Sequence, residues 1–255
     1  MHKKHKKGRL RSVTEGVCLI LLSAVYVLPF LWMCGKIRIK DFYLLLIEEF
    51  WFYPKYWYSL GIAAAIGTGA AVLSFLAAVG LQWGNIKGKK AILFLVLLLM
   101  LMPLQATLLP TYIGLRDMRM LNSPFALILP MLCSPFAFYL MYQYVETVPT
   151  EIVEAARLET SSLCKILWHA LLPQIKGSVA AVFVFMFAEG FNMVEQPLYF
   201  VKEDVLRPLS VIAEEYIQGK EQLLYAVGVL CLIPILLLYA VYEEELSDGM
   251  GRLKG

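Results

Sequence analysis

Two carboxylates, Glu189 and Glu195, stand within a run of mostly apolar residues. An ionised group in an apolar setting is costly, so it faces a polar cavity or pairs with another residue. For Glu189 a polar path and a structural pairing both stay open. Glu195, nearer the end of the same run, is expected to reach the outer interface. Glu189, Asn192 and Gln105 are the candidate residues for a polar path through an apolar body.

Other chemistries fail on spacing. The segment Gly84-Asn85-Ile86-Lys87-Gly88-Lys89-Lys90 approaches a phosphate-binding loop, but three residues rather than four separate its glycines. Lys90 also stands where Ser or Thr must reach Mg²⁺, so the segment reads as a basic loop. HExxH and GxSxG are absent. His2, His5 and His169 are too dispersed to share a metal ion. Cys18, Cys34, Cys133, Cys164 and Cys231 are odd in number and lack CxxC spacing, which suggests neither a disulfide framework nor a zinc site. No catalytic residue, metal or cofactor is expected in this chain.

The scaffold that must hold the carboxylates is unusual in composition. Of 255 residues, 60% are hydrophobic and 17% charged, against roughly 45–50% and about 25% in soluble domains. The excess falls in six runs, 17–34, 59–81, 91–113, 124–144, 178–200 and 223–242. Each approaches the roughly 20 residues a helix needs to cross a bilayer. The runs are continuous rather than alternating, so an all-α, six-span membrane protein is expected and not a barrel. A signal peptide is disfavoured, because the first run is longer than an h-region and Leu31-Trp32-Met33-Cys34 offers no small-residue cleavage site.

Lys and Arg set the orientation. With a cytoplasmic N-terminus, fourteen lie inside and nine outside. The inner set is led by Lys3, Lys4, Lys6, Lys7, Arg9 and Arg11. Beside a span, this basic head is a membrane anchor rather than a nucleic-acid site. Both termini are therefore expected in the cytoplasm. The organisation is a basic N-terminus (1–16), a membrane domain (17–242) and a C-terminal tail (243–255).

Two features concern how the helices are built. The second run carries Gly61, Ala63, Ala64, Ala65, Gly67, Gly69, Ala70 and Ala71, small residues that let backbones approach closely in lipid. The third and fourth carry Pro103, Pro110, Pro130 and Pro135, which predicts kinks. Between the fourth and fifth, 145–177 forms the longest cytoplasmic connection. Pro149-Thr150-Glu151 opens a helix, Ser161-Ser162 opens a second, and Pro173 ends it. Leu163, Ile166, Leu167, Ala170 and Leu171 give the second an apolar stripe, which ordinarily packs on its own protein.

Within that connection, Glu154-Ala155-Ala156 followed by Leu172-Pro173 resembles the cytoplasmic EAA loop of binding-protein-dependent ABC importers. Thr160 replaces the Gly of that pattern, Ala170 replaces an Ile, and Glu159 stands where Asp is common. The resemblance extends to the six-span carbohydrate permeases of the maltose type. It runs through Met102-Pro103-Leu104-Gln105, Leu109-Pro110-Thr111-Tyr112, Leu121-Asn122-Ser123, Val148-Pro149, Phe191-Asn192, Pro197-Leu198 and the Gly-rich tail to Lys254-Gly255.

The resemblance implies a non-enzymatic permease subunit in a bacterial plasma membrane, carrying sugars or oligosaccharides. It implies four kinds of partner: a second permease, an ABC ATPase dimer binding ATP and Mg²⁺, an extracytoplasmic solute-binding protein, and the lipid membrane. Nucleic acid is not among them. Glu154, Ala155, Ala156, Glu159, Thr160, Leu172 and Pro173 would couple to the ATPase. Gly at the turn would permit a backbone geometry that Thr160 is expected to tolerate poorly. Alternatives are a permease for a peptide or organophosphate, or a non-transporting sensory subunit, which the Thr160 departure keeps open.

Overall fold

The computed structural model describes residues 2–84, 86–216 and 221–252, with side chains over 18–84, 86–213 and 223–245. Asn85, Lys220, Lys254 and Gly255 lie outside the described residues, as do the side chains of the basic head. Every regular element among the described residues is helical. Four helices are long and apolar enough to cross a membrane, or up to six if each of two sharply bent pairs is one span.

The chain divides into two compact units. The first comprises Met1–Glu49 and Ile217–Cys231. Its long helix α1 (His2–Lys36) continues well before the predicted Val17 start and accommodates Pro29. Trp32 meets Tyr225 edge-on at 5.8 Å. A Cβ on Gly228 would lie 3.3 Å from Met33 Sδ, so the glycine permits the close approach. After α1, buried Asp41 accepts from the Arg38 backbone N–H at 2.8 Å and starts a short helical segment.

The second unit, Phe50–Tyr216 with Leu232–Gly255, is organised around α2 (Phe52–Trp83). Ala63, Ile66, Ala70 and Ala78 on α2 are fully buried, as the small-residue pattern predicts. The third run holds two helices separated by a sharp break. α3 (Lys89–Met100) and α4 (Leu104–Asp117) meet at 103°, with Pro103 as the extended residue that opens α4. Proline disfavours a helical conformation in the residue before it and cannot donate, which accounts for a break instead of a bend. Next, α5 (Pro124–Leu132) and α6 (Pro135–Glu146) are interrupted at Cys133-Ser134. There Ser134 Oγ accepts from Ala137 N at 3.3 Å and Pro135 takes the first helical position, the place where its missing N–H costs nothing.

The connection folds as α7 (Thr150–Glu159) and α8 (Leu163–Gln174), and α8 meets α9 (Lys176–Phe191) at 82°. α8 ends one residue after Pro173, as expected. The proline lies in a last 3₁₀ turn, Leu172–Gln174. The fifth run, expected to continue to Phe200, is likewise divided. α9 ends at Phe191, and α10 (Glu195–Phe200) follows. α11 (Leu209–Tyr216) and α12 (Glu221–Arg252) complete the chain, and only the part of α12 from Leu232 belongs to this unit.

Hydrogen bonds mark two ends of the second unit. At one, Tyr142 OH donates to Gln82 Oε1 at 3.0 Å, Lys89 Nζ donates to the same oxygen, and Lys89 lies over the Tyr142 ring. At the other, Asn122 takes a left-handed backbone (φ 56°) that Asn tolerates better than most residues. Its N–H donates to Phe200 O at 3.0 Å, and its Oδ1 accepts from Lys202 N at 2.7 Å. Lys55 donates to the carbonyls of Asp204 and Arg207, and Ser59 Oγ accepts from Leu209 N at 2.7 Å.

Candidate translocation cavity and coupling hairpin

The helix breaks open space in the second unit. Because α4 restarts at Leu104 after Pro103, Leu104, Thr107, Leu108 and Thr111 share one face at helical spacing, and that face borders a cavity of about 580 Å³. The interrupted α5–α6 segment supplies Met131, Ser134 and Phe136. α9 supplies Phe185, Met186 and Glu189, and α10 supplies Gln196 and Phe200. The Phe136 and Phe185 rings pack with centroids 4.5 Å apart. Thr107 Oγ1 donates to Leu104 O at 2.8 Å, which turns its hydroxyl onto its own helix.

A second cavity of about 380 Å³ shares Leu104, Met131, Glu189 and Gln196 with the first and adds Asn192 and Glu195. Glu189 therefore lines both. It is exposed, and among the described residues its carboxylate has no ion-pair or hydrogen-bond partner. Of the two readings left open by sequence, the geometry is that of a group facing a cavity. Asn192 lines the smaller cavity, with Nδ2 donating to Ala188 O at 2.9 Å.

Gln105 borders neither cavity. Its Nε2 lies 3.0 and 3.3 Å from the two Glu195 oxygens and donates to that carboxylate. Glu195 is accordingly half-buried, held from α4, and lines the smaller cavity. The pairing joins residues ninety apart in the chain, and no local pattern signals it. Gln196, Thr111, Phe136 and Phe185 were also missed. The only hint for Gln196 was a polar residue beside Glu195 in an apolar run.

The helical hairpin α7–α8 has two faces. Val153, Ile166 and Leu171 are buried, and Ile152 and Leu167 pack against the core of the unit. The predicted stripe thus packs on its own protein through Ile166, Leu167 and Leu171. On the other face Glu154, Ala155 and Glu159 are exposed, as are Leu163 and Trp168, and Leu158 is 91% exposed. Ala156 and Leu172 are half-buried and Pro173 is exposed. Leu158 and Trp168 fall off the stripe, which is why periodicity did not single them out, whereas Leu163, the first residue of the stripe, turns outward.

Thr160 sits between the helices in extended backbone (φ −150°, ψ 141°). A β-branched residue favours that region, so the turn does not call for glycine and the expected strain is absent. Thr160 Oγ1 instead accepts from Ser162 N at 3.2 Å, and Thr160 N donates to Ala156 O at 3.0 Å.

A helical membrane body with broken spans around a cavity and a two-faced hairpin beside it defines a polytopic permease subunit. The family model described as "Binding-protein-dependent transport system inner membrane component" matches residues 70–247, and the chain belongs to that family. It is therefore a permease subunit of a multi-component importer rather than an enzyme.

The sn-glycerol-3-phosphate transport system permease protein UgpE of Brucella abortus is 24% identical over 199 residues, covering 76% of this chain and 71% of that protein. UgpE of Salmonella typhi is 30% identical over 142 residues, covering 56% and 50%. Among solved structures, a chain of a bacterial ABC transporter importing the acidic polysaccharide alginate superposes with a TM-score of 0.81. It is 17% identical, and the match covers 94% of this chain and 98% of that one. A chain of the MetNI methionine ABC transporter gives 0.60 at 16% identity, covering 84% and 99%.

Proposed function

We propose that this chain forms part of the membrane path of an ATP-driven importer for sugars or oligosaccharides, with the α7–α8 hairpin docked on a separate ATPase. The observation that carries the reading is the hairpin's asymmetry. One face is anchored in the permease by Val153, Ile166 and Leu171, while Leu158, Leu163 and Trp168 stand exposed beside Glu154 and Glu159. Exposed apolar residues around an aromatic side chain, outside the apolar spans, are the anatomy of a protein contact. A rigid element with one face in each partner transmits motion, because differential contacts in two states shift both bodies together.

ATP and Mg²⁺ then belong to an ATPase dimer, and a second permease and an extracytoplasmic binding protein complete the assembly. Both termini and the hairpin are cytoplasmic in this reading. Gln82, Lys89 and Tyr142 cluster at one end of the second unit, and Asn122, Phe200 and Lys202 at the other, which supports alternate spans running in opposite directions. The cavities lined by Glu189 and Asn192, with Gln105 steadying Glu195, form this subunit's share of the path. The sugar assignment is supported by the carbohydrate-permease motifs and by the likeness to the alginate importer. The non-transporting alternative loses its ground, since Thr160 fits its turn without strain.

Co-purification from membranes tests the docking. Glu154→Lys and Trp168→Asp, each inserted at normal levels, are expected to retain ATPase at least roughly tenfold less than the unaltered chain, the loss of a buried anchor. Normal ATPase retention by both variants would refute the docking.

A further inference from the structure

We propose that the path through this subunit rejects anions, so that the solute carried is an uncharged polyhydroxylated molecule rather than a phosphorylated or acidic one. The inference rests on the reading of the two cavities as the transport path and narrows its substrate class.

The wall chemistry carries it. Glu189 lines both cavities and Glu195 the smaller, and among the described residues no Lys, Arg or His lines either. Glu195 receives its hydrogen bond from the neutral amide of Gln105, which orients the carboxylate without cancelling its charge. Glu189 has no counter-ion among the described residues. Negative potential in a low-dielectric cleft is focused rather than screened. An anion leaving water for this space loses hydration and meets like charge on the described walls of this subunit.

A neutral polyol meets complementary groups. Its hydroxyls donate charge-assisted hydrogen bonds to Glu189 and Glu195, and Gln196 and Thr111 offer neutral partners. The tilted Phe136–Phe185 pair presents apolar surface, and the negative ring face attracts polarised C–H groups. A permanent cation would be held too firmly, since passage requires binding weak enough to release. The contrast with relatives named for sn-glycerol-3-phosphate and with the alginate importer is direct, because both named solutes are anionic.

The test uses the assembled importer in proteoliposomes, so that any basic residue from a partner permease registers. With the five native cysteines replaced by alanine, Thr107→Cys and Thr111→Cys are treated with trimethylammonium-ethyl or sulfonato-ethyl methanethiosulfonate. The cationic reagent is expected to react faster by roughly tenfold beyond its preference for a free thiol. Adding Glu189→Gln with Glu195→Gln should abolish that excess.

Labelling without a charge preference, or with preference for the anionic reagent, would overturn the proposal while leaving the path intact. Absence of any labelling at both positions would overturn the path itself, and the proposal with it. The unaltered importer gives a second measurement free of engineered cysteines. Uptake of radiolabelled sn-glycerol-3-phosphate or alginate oligosaccharide by it would also overturn the proposal, whereas uptake of a neutral oligosaccharide alone would support it.

Discussion

Helices α1 and α2 are equally apolar where each would cross a membrane, with the same mean hydropathy of 2.1, yet the stretch in α2 is 44% buried by protein and that in α1 is 0% buried. Their side chains account for the difference. α1 presents Leu19, Ile20, Leu21, Leu22 and Val25 outward. On α2 alanine and glycine recur, and a Cβ at Gly67 would lie 3.0 Å from the Phe183 carbonyl oxygen. In lipid, apolarity does not distinguish a neighbouring helix from an acyl chain, whereas small residues let backbones come close enough for packing to win. Hydropathy thus decides that a segment enters the bilayer, and side-chain size decides whether it meets protein there.

The largest expected effect comes from filling a close contact between α2 and the backbone of α9. Gly67→Leu should destabilise the permease by roughly 1–3 kcal/mol or more, because the opposing backbone of Phe183 cannot yield as a side-chain tip can. Gly61, with open space around its Cα, is the internal control on the same helix. Thermal unfolding in detergent checks the pair. Equal effects at Gly67 and Gly61 would break the contrast between the faces of α2.

A smaller loss is expected at the start of α2. Lys55 is 8% exposed and donates to two backbone carbonyls of the 201–208 connection. Lys55→Met keeps much of the volume but leaves those acceptors unsatisfied, at a cost of about 1–3 kcal/mol. Limited proteolysis of that connection should quicken in the variant, and unchanged cleavage would mean that the clamp is dispensable. The smallest effect belongs to α1, where Val25→Leu should change stability within about 0.5 kcal/mol, as at other sites without packed neighbours. A loss comparable to that at Gly67 would reveal that another protein chain, rather than lipid, covers this surface.

Much of the architecture could be read from residue order. The apolar runs lie where the long or bent helices stand, the small residues of the second run are buried in it, and Thr150–Glu159 forms the first hairpin helix. The site was less legible. Glu189 was picked out because a carboxylate in an apolar run is conspicuous by itself. The tie between Gln105 and Glu195 depends on a break at Pro103 that turns α4 by 103° from α3. A proline announces a weak point but not the angle, since neighbouring helices decide how the freed backbone is satisfied. The same holds for Leu158 and Trp168, whose exposure depends on which side of the hairpin the core occupies.

Sequence alone determined that this chain enters a membrane, in helices, with a two-helix connection carrying an acidic-alanine motif. Those properties follow from local quantities, the transfer energy of each residue and the period of the backbone, which need no knowledge of neighbours. Tertiary structure alone decided where the helices break, which carboxylate is steadied and which faces a cavity, and which face of the hairpin stays free. Each of these depends on contacts between residues far apart in the chain, whose energies are comparable for many arrangements until close packing selects one.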